Sequence, residues 1–353
     1  MNSSVSKFPS PASSQTNWPW VQEHNPIPER MPDGTLWPRI SIITPSYNQG
    51  DYLEEAIRSV LLQGYPNLEY IIMDGGSSDR SLEILERYDP WITHWESKPD
   101  KGQSHAINKG FDVATGQIIA WMNSDDIYYP AALMKAAEIF ISQPGISGVI
   151  GQCGQMTEDG SLLNVRPAVD FNAERILKGG KIPGQPAVFL STDIVKNLGG
   201  LREDLYYILD WEYWLRIGYN YPNRAQTIGE ILAVERIWGG RKTLEEAGKE
   251  SAQERRKVFD DYFDSPDLPS YWMEIKPIAY SETYWRQGRS HLFENERSSA
   301  RLSFWNAFQL SPSFSSLVKL SVYLLGSLIG YNTSRKIAQY SPAFLRDLWH
   351  RRD

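Results

Sequence analysis

The chain has 353 residues, enough for one large domain with an appendage or for two domains. Hydrophobic residues make up 41% and charged residues 22%, a globular composition, and a net charge of −7 excludes a general nucleic-acid binder, which needs a basic field. One cysteine, Cys153, excludes an intramolecular disulfide and a cysteine-based zinc site.

Residues 1–17 are rich in Ser and Pro and lack periodicity, so a disordered tail is expected there. No charged region followed by an apolar one marks a signal peptide. WPWVQEHNPIPERMPDGTLW, residues 18–37, reads as an irregular lead-in pinned by its aromatics. At residue 38 the pattern changes. ISIITPSYN (40–48) opens with a buried strand, DYLEEAIRSVLLQG (51–64) has helical spacing and a closing glycine, and LEYIIMD (68–74) is a second strand. RSLEILERY and SHAINKGFDVA read as helices, GQIIAWMNSDD as a strand ending in acids, and YPAALMKAAEIF as another helix with Pro130 near its first turn. Strand–helix alternation of this kind specifies an α/β domain with a mostly parallel sheet. SGVIGQCGQM, a turn at EDGS and LLNVRP read as a hairpin, and ILDWEYWLRIG (208–218) as a helix. Beyond about residue 250 the strand pattern is lost, which places three regions at 1–37, 38–248 and 249–353, the last of them helical.

Ligands bind parallel sheets at the carboxyl ends of the strands. The polar clusters Pro45–Asn48, Asp74–Asp79 and Asn123–Asp126 all fall at such ends and share one rim. Adjacent carboxylates at Asp125 and Asp126 suit a divalent cation held against phosphates. They equally suit the start of a helix, with Asp126 the better cap and Asp125 the better ligand. Asp74, before two glycines, is either a turn residue or an acceptor for ribose hydroxyls or a base N–H. Tyr47 either stacks on a base or packs. Asp210 and Glu212 open an aromatic helix, where Asp210 serves as general base or as N-cap. ERIWGGRKT (235–243) sets Arg236, Arg241 and Lys242 around two glycines, either a basic loop for a diphosphate or a solvated surface loop. His94 and His105 lack metal spacing, and neither a nucleophile elbow nor a P-loop occurs.

Taken in order, ISIITPSYNQGDYLEEAIRSVLLQGYPNLEYIIMDGGSSDRS, PDKGQSHAINKGF, GQIIAWMNSDD and DWEYWLR resemble the family 2 glycosyltransferases over about residues 38–245. That resemblance implies the GT-A fold, Rossmann-like with a mixed sheet flanked by helices. It also implies an inverting transfer of a sugar from a nucleotide-diphosphate donor, a UDP-sugar first among them, to an acceptor hydroxyl. Pro45, Tyr47, Asn48 and Asp74 then match positions that hold the nucleoside, and Gln103, Ser104 and Asn108 a segment beside the donor. Asn123, Ser124 and Asp125 match the DxD motif for Mg²⁺ or Mn²⁺, with Asp126 extending the rim. Asp210 matches the catalytic base, and Glu212 a second acid. Two departures stand out: Asn123 replaces the first acid, and Trp238 stands near a place where relatives often carry His. Arg241 and Lys242 offer an alternative, metal-independent neutralisation of the diphosphate.

The resemblance further implies a saccharide or lipid-linked acceptor, work on cell-surface polysaccharide or glycolipid, and a cytoplasmic site at the inner membrane face. The apolar stretch LVKLSVYLLGSLIG (317–330), followed by Arg335, Lys336, Arg346, Arg351 and Arg352, suits peripheral membrane contact or a packed helix. It is too short to span a bilayer. The rival readings are a sugar-nucleotide-binding protein without turnover and a nucleotidyltransferase. The second would want a basic triphosphate loop that TPSYNQG lacks.

Overall fold

A computed structural model describes residues 8–9, 18–20, 27–239, 248–266 and 268–330. The chain divides into two compact units, Met1–Asn172 with Ile182–Gly239, and Ala173–Lys181 with Gly240–Asp353.

The first unit is built on one nine-stranded sheet. Four parallel strands, β1 (Ile40–Ser46), β2 (Leu68–Asp74), β3 (His94–Ser97) and β4 (Ile118–Trp121), lie in the order β3-β2-β1-β4. Helices α1 (Leu53–Leu61), α2 (Ser81–Tyr88) and α3 (Gln103–Val113) connect them. β1 is buried along its whole length and β2 nearly so, because helices cover both faces. This is why their sequences run apolar without alternation. After β4 come β5 (Ile127–Tyr128), α4 (Ala132–Ser142), β6 (Gly148–Met156) and β7 (Leu162–Arg166). Later β8 (Val188–Ser191), α6 (Thr192–Leu198), α7 (Leu209–Asn220) and β9 (Ala225–Arg236) complete the unit, α5 (Ala173–Leu177) belonging to the other. β8 runs antiparallel to β4 and β6, β9 is parallel to β6, and β5 pairs antiparallel with β9. The sheet is therefore mixed.

One core gathers Leu53, Ile57 and Val60 of α1, Ile84 and Leu85 of α2, and Leu133 and Ala137 of α4 with Ile40, Ile42, Tyr70 and Ile72 of the sheet. The opposite face carries α3 and α7: Trp121 of β4 stacks on Trp214 at 5.2 Å and meets Phe111 and Tyr213 edge-on at 6.0 Å. Each such fully buried large side chain contributes about 1.5–3 kcal/mol. Described residues of the N-terminal segment are held against α1 and β5. Arg58 of α1, 3% exposed, donates to the carbonyls of Pro9, Pro19 and Trp20, and Trp18 donates to the carbonyl of Tyr128.

The second unit contains α5, α8 (Gly248–Phe263), α9 (Ser270–Phe293), α10 (Arg297–Leu310) and α11 (Phe314–Ile329). Trp285, Phe304, Ala307, Leu320 and Tyr323 form its core. Ser313 caps α11 by accepting from Ser316 N, while the Ser316 hydroxyl accepts from Ser313 N. Among the described residues no helix is long and apolar enough to cross a membrane.

Candidate active site

The register of the parallel strands aligns their carboxyl ends, Ser46 opposite Asp74 and Asp74 opposite Ser97, while β4 ends at Trp121. The clusters expected to share a rim do share it, and each side chain there has a determinable task.

Several of the expected residues are committed to building the rim. Asp74, 1% exposed, accepts from Gly76 N, Ser77 N, Ser77 Oγ and Ser97 Oγ at 2.5–3.1 Å. Its carboxylate shapes the GGSS turn and ties β2 to β3. Asn48 sits at φ 51° and joins the loops after β1 and β2: its N–H donates to Ser77 Oγ and its Oδ1 accepts from Ser78 N. Asn108, midway along α3, holds both backbone groups of Leu201. Pro45 is buried within β1, and Ser124 is 3% exposed at the β4 end.

Tyr47 is different, 62% exposed at the end of β1. A Cβ on Gly75 would stand 2.9 Å from Asp100 Oδ2 and 3.2 Å from the Tyr47 ring. The bare glycine thus lets ring and carboxylate stand side by side on the rim. Asp100 Oδ1 accepts from Gly102 N. Sequence reasoning passed over Asp100; its signal was an acid two residues before a glycine that adopts φ 115°.

Around the end of β4 the polar groups interlock. Asn123 Oδ1 accepts from Gln103 at the first turn of α3, and its Nδ2 donates to Asp126 Oδ2 (3.2 Å) and Gln185 Oε1 (3.1 Å). Gln185 in turn donates to the Trp121 carbonyl. An amide is needed at 123 because one side chain must both accept and donate. An aspartate there would face Asp126 as a like charge.

The helix-start reading of Asp126 is corrected. A two-residue strand follows it, α4 begins only at Ala132, and Asp126 Oδ1 accepts from Arg236 N, fastening the end of β9. Burial raises the pKa of Asp126 well above the ordinary carboxylate value, with the Asp125 and Glu235 charges adding to it. Asp125 is also raised by burial, against a hydrogen bond from Trp238 Nε1 to its Oδ2 at 2.8 Å.

Arg236 does not belong to a basic loop. It ends β9 with its side chain 2% exposed and turned inward. The guanidinium meets Glu55 Oε2 at 2.6 Å, the carbonyls of Asp125 and Glu158, and the Tyr52 ring at 5.0 Å. Arg241 and Lys242 lie outside the described residues.

Asp210 lies half-buried in the first turn of α7. It is not the N-cap, which is Ile208; its Oδ1 accepts from Trp211 N at 2.7 Å. Arg166 is its electrostatic neighbour. Burial alone would lower the Arg166 pKa, but the Glu235 carboxylate foremost, with Cys153 and Asp210, holds it above its ordinary value. Arg166 pairs with Glu235 at 2.8 Å, and Glu235 acts on Asp125 and Asp126. Arg166 and Glu235 thus form one ion pair, Glu235 adding to the field at Asp125 and Asp210 to that at Arg166. Neither Arg166 nor Glu235 was legible as a site residue: Arg166 lies on a strand read only for its pattern, and Glu235 opens a segment read as a loop. Glu212 has both oxygens on Arg216, at 3.0 and 2.9 Å, and serves the fold.

Among the described residues no group of three or more His, Cys, Asp and Glu side chains is arranged to hold a metal ion. Both Asp126 oxygens and one Asp125 oxygen already accept hydrogen bonds. This donor set does not fit a ready-made divalent cation site.

A mixed, mostly parallel sheet flanked by helices, with polar strand ends gathered on one rim, is the GT-A architecture, and comparison with known proteins agrees. The fold resembles the mannosyltransferase PcManGT from Pyrobaculum calidifontis, solved with GDP-Man and Mn²⁺, with a TM-score of 0.56 and 18% identity over 90% of this chain and 89% of that one. It also resembles S. aureus TarS 1–349 in complex with UDP-GlcNAc, with a TM-score of 0.53 and 17% identity over 88% and 83% of the two chains. Residues 41–189 match the family model described as Glycosyl transferase family 2. An uncharacterized glycosyltransferase of Mycobacterium tuberculosis is 30% identical over 184 residues, 52% of this chain and 70% of the relative. The chain belongs to glycosyl transferase family 2, and its class of activity is glycosyl transfer.

Proposed function

We propose that the protein moves a sugar from a nucleoside-diphosphate sugar to an acceptor hydroxyl with inversion, in the synthesis of a cell-surface polysaccharide or glycolipid. The rim of aligned parallel strand ends, with the exposed Tyr47 ring beside Asp100 and Asp125 after the end of β4, carries this reading. TarS and PcManGT, solved with UDP-GlcNAc and GDP-Man, support a nucleotide sugar as the donor.

The base stacks on the exposed ring of Tyr47, and Asp100 Oδ2 accepts one of its N–H groups. Asp74 and Asn48 act indirectly, by fixing the two loops that present ring and carboxylate. Gln103 and Asn123, locked together, form the wall beside the diphosphate. Asp210 takes the acceptor proton as the acceptor oxygen attacks the anomeric carbon. The bond from that carbon to the diphosphate oxygen breaks, and the nucleoside diphosphate departs with the electron pair. One displacement inverts the centre.

Thermal unfolding with UDP, GDP and their sugars tests the donor. A ligand at 100 times its Kd adds about 2.7 kcal/mol of stability, and one nucleotide series is expected to raise Tm. Tyr47→Ala should weaken that ligand by about 1–3 kcal/mol, the scale of one base–aromatic stack. An unchanged affinity would remove Tyr47 from the site, and no shift with any nucleotide would favour a protein that does not use this donor class.

For the acceptor side, the same proposal includes peripheral contact with a membrane. On α11, Phe314 (82% exposed), Leu317, Leu325 (63%) and Leu328 fall within roughly one quarter of the helix circumference, with exposed Ser321 among them and buried Tyr323 on the opposite side. A single-sided apolar face of this kind suits the bilayer interface. The basic residues Arg335, Lys336, Arg346, Arg351 and Arg352 lie outside the described residues. Co-sedimentation with phosphatidylglycerol vesicles is expected to capture the protein, and the double variant Phe314→Asp, Leu325→Asp to lower the partition about tenfold or more. Equal partition of the two proteins, or none by the parent, would assign the face elsewhere.

A further inference from the structure

Trp238 stands against the strand-end carboxylate of Asp125. Its indole Nε1 donates to Asp125 Oδ2 at 2.8 Å, and its ring packs on Tyr52 at 5.3 Å. Tyr52 is itself fixed, by its hydroxyl on Glu158 and by Arg236 over its ring. The indole therefore packs on a ring that is itself contacted on two sides.

An indole N–H can only donate, having no lone pair in the ring plane to offer a metal. It occupies one acceptor position on Asp125 Oδ2 without neutralising the carboxylate. Of the other oxygens nearby, those of Asp126 are taken by Arg236 N and Asn123 Nδ2. The residue that would otherwise add a carboxylate is Asn123, whose amide is used three ways. Carboxylate oxygens suit Mg²⁺ or Mn²⁺ only while they are open to it.

We propose that Trp238 closes the cation position on Asp125, so that this chain binds its nucleoside diphosphate without a divalent metal, and that an imidazole at 238 would open a metal site. A histidine there has one ring nitrogen able to accept a metal, and it would leave the Asp125 oxygen free as a second ligand. The proposal rests on the donor site assigned above, and the two can fail separately.

The experiment uses the full chain as parent, Trp238→His and Trp238→Phe. Mn²⁺ alone is titrated and the free ion followed by electron paramagnetic resonance. Separately, UDP and GDP are titrated calorimetrically in a chelator and again in Mn²⁺. The parent is expected to show no saturable Mn²⁺ site and an affinity for its nucleotide that differs less than about threefold with and without the metal. Trp238→His is expected to gain Mn²⁺ affinity by about tenfold or more, a scale that even indirect partners of a metal ligand command. Trp238→Phe keeps the ring without the N–H and should fall between them, which also guards against a histidine variant that folds poorly. Stoichiometric Mn²⁺ binding by the parent, abolished by Asp125→Ala and unchanged by either Trp238 substitution, would overturn the proposal. Absence of nucleotide binding in every protein, with the expected Mn²⁺ ranking intact, would instead remove the donor reading and leave the role of Trp238 standing.

Discussion

Asparagine in place of Asp210 is expected to lower kcat by about 10²–10⁴-fold, the usual contribution of a positioned general base. The change is well isolated by the structure. Asp210 Oδ1 accepts the Trp211 N–H at 2.7 Å, a bond that an amide oxygen can keep, and the side-chain volume is unchanged. What disappears is the charge and the basic lone pair. Donor affinity should stay within a few-fold, because the nucleotide contacts assigned to Tyr47 and Asp100 lie on the strand-end rim. The measurement is a steady-state comparison of kcat and of the Kd for the nucleotide, once the donor has been found. A kcat within about threefold of the parent would transfer the proton acceptor to another group. Glu212 is not that group, since Arg216 holds both of its oxygens.

The second large effect is on stability. Arg236→Met is expected to lower the unfolding free energy by about 3–5 kcal/mol, the cost of removing one partner from a buried pair. Arg236 is 2% exposed in its side chain, and its partner Glu55 is 19% exposed. Burial raises the Glu55 pKa and Arg236 opposes that rise. Without the guanidinium, Glu55 keeps its desolvation cost and loses its counter-charge. The carbonyls of Asp125 and Glu158 also lose their donor, each at about 1–3 kcal/mol if left unsatisfied. Lysine should rescue little, because a point charge cannot reach several acceptors in fixed directions. Urea denaturation with an unchanged m-value reads the loss directly. A change below about 1 kcal/mol, the range of a solvated surface pair, would mean that water replaces the guanidinium. Because Arg236 also supports Tyr52, beneath Trp238, its loss should loosen the Trp238–Asp125 contact as well.

The sequence by itself determined the α/β architecture of residues 38–147 and the rim on which its polar strand ends gather. β1 and β2 are covered on both faces, so their apolar runs are unbroken, and α1 to α4 carry a clear helical period. Polar residues at 45–48, 74–79 and 123–126 could be placed together because parallel strands must end on one side. The later half was less legible: β8, α6 and β9 were not read as elements, since β9 mixes exposed and buried positions without clean alternation.

Only the tertiary structure decided what each rim side chain does. Asp74, Asn48 and Asn108 looked available and are tied to the chain's own backbone, whereas Asp100 looked ordinary and stands beside Tyr47, and Arg166 and Glu235 pair on neighbouring strands. Arg236 read as a loop cation and is a buried brace; Asp126 read as a cap and is the acceptor for β9. The physical reason is common to all of them. Periodicity records which face of an element meets water, a local property of the chain. A hydrogen bond such as Trp238 to Asp125, between residues 113 apart in sequence, depends on strand register and the direction of two side chains, which no local pattern encodes.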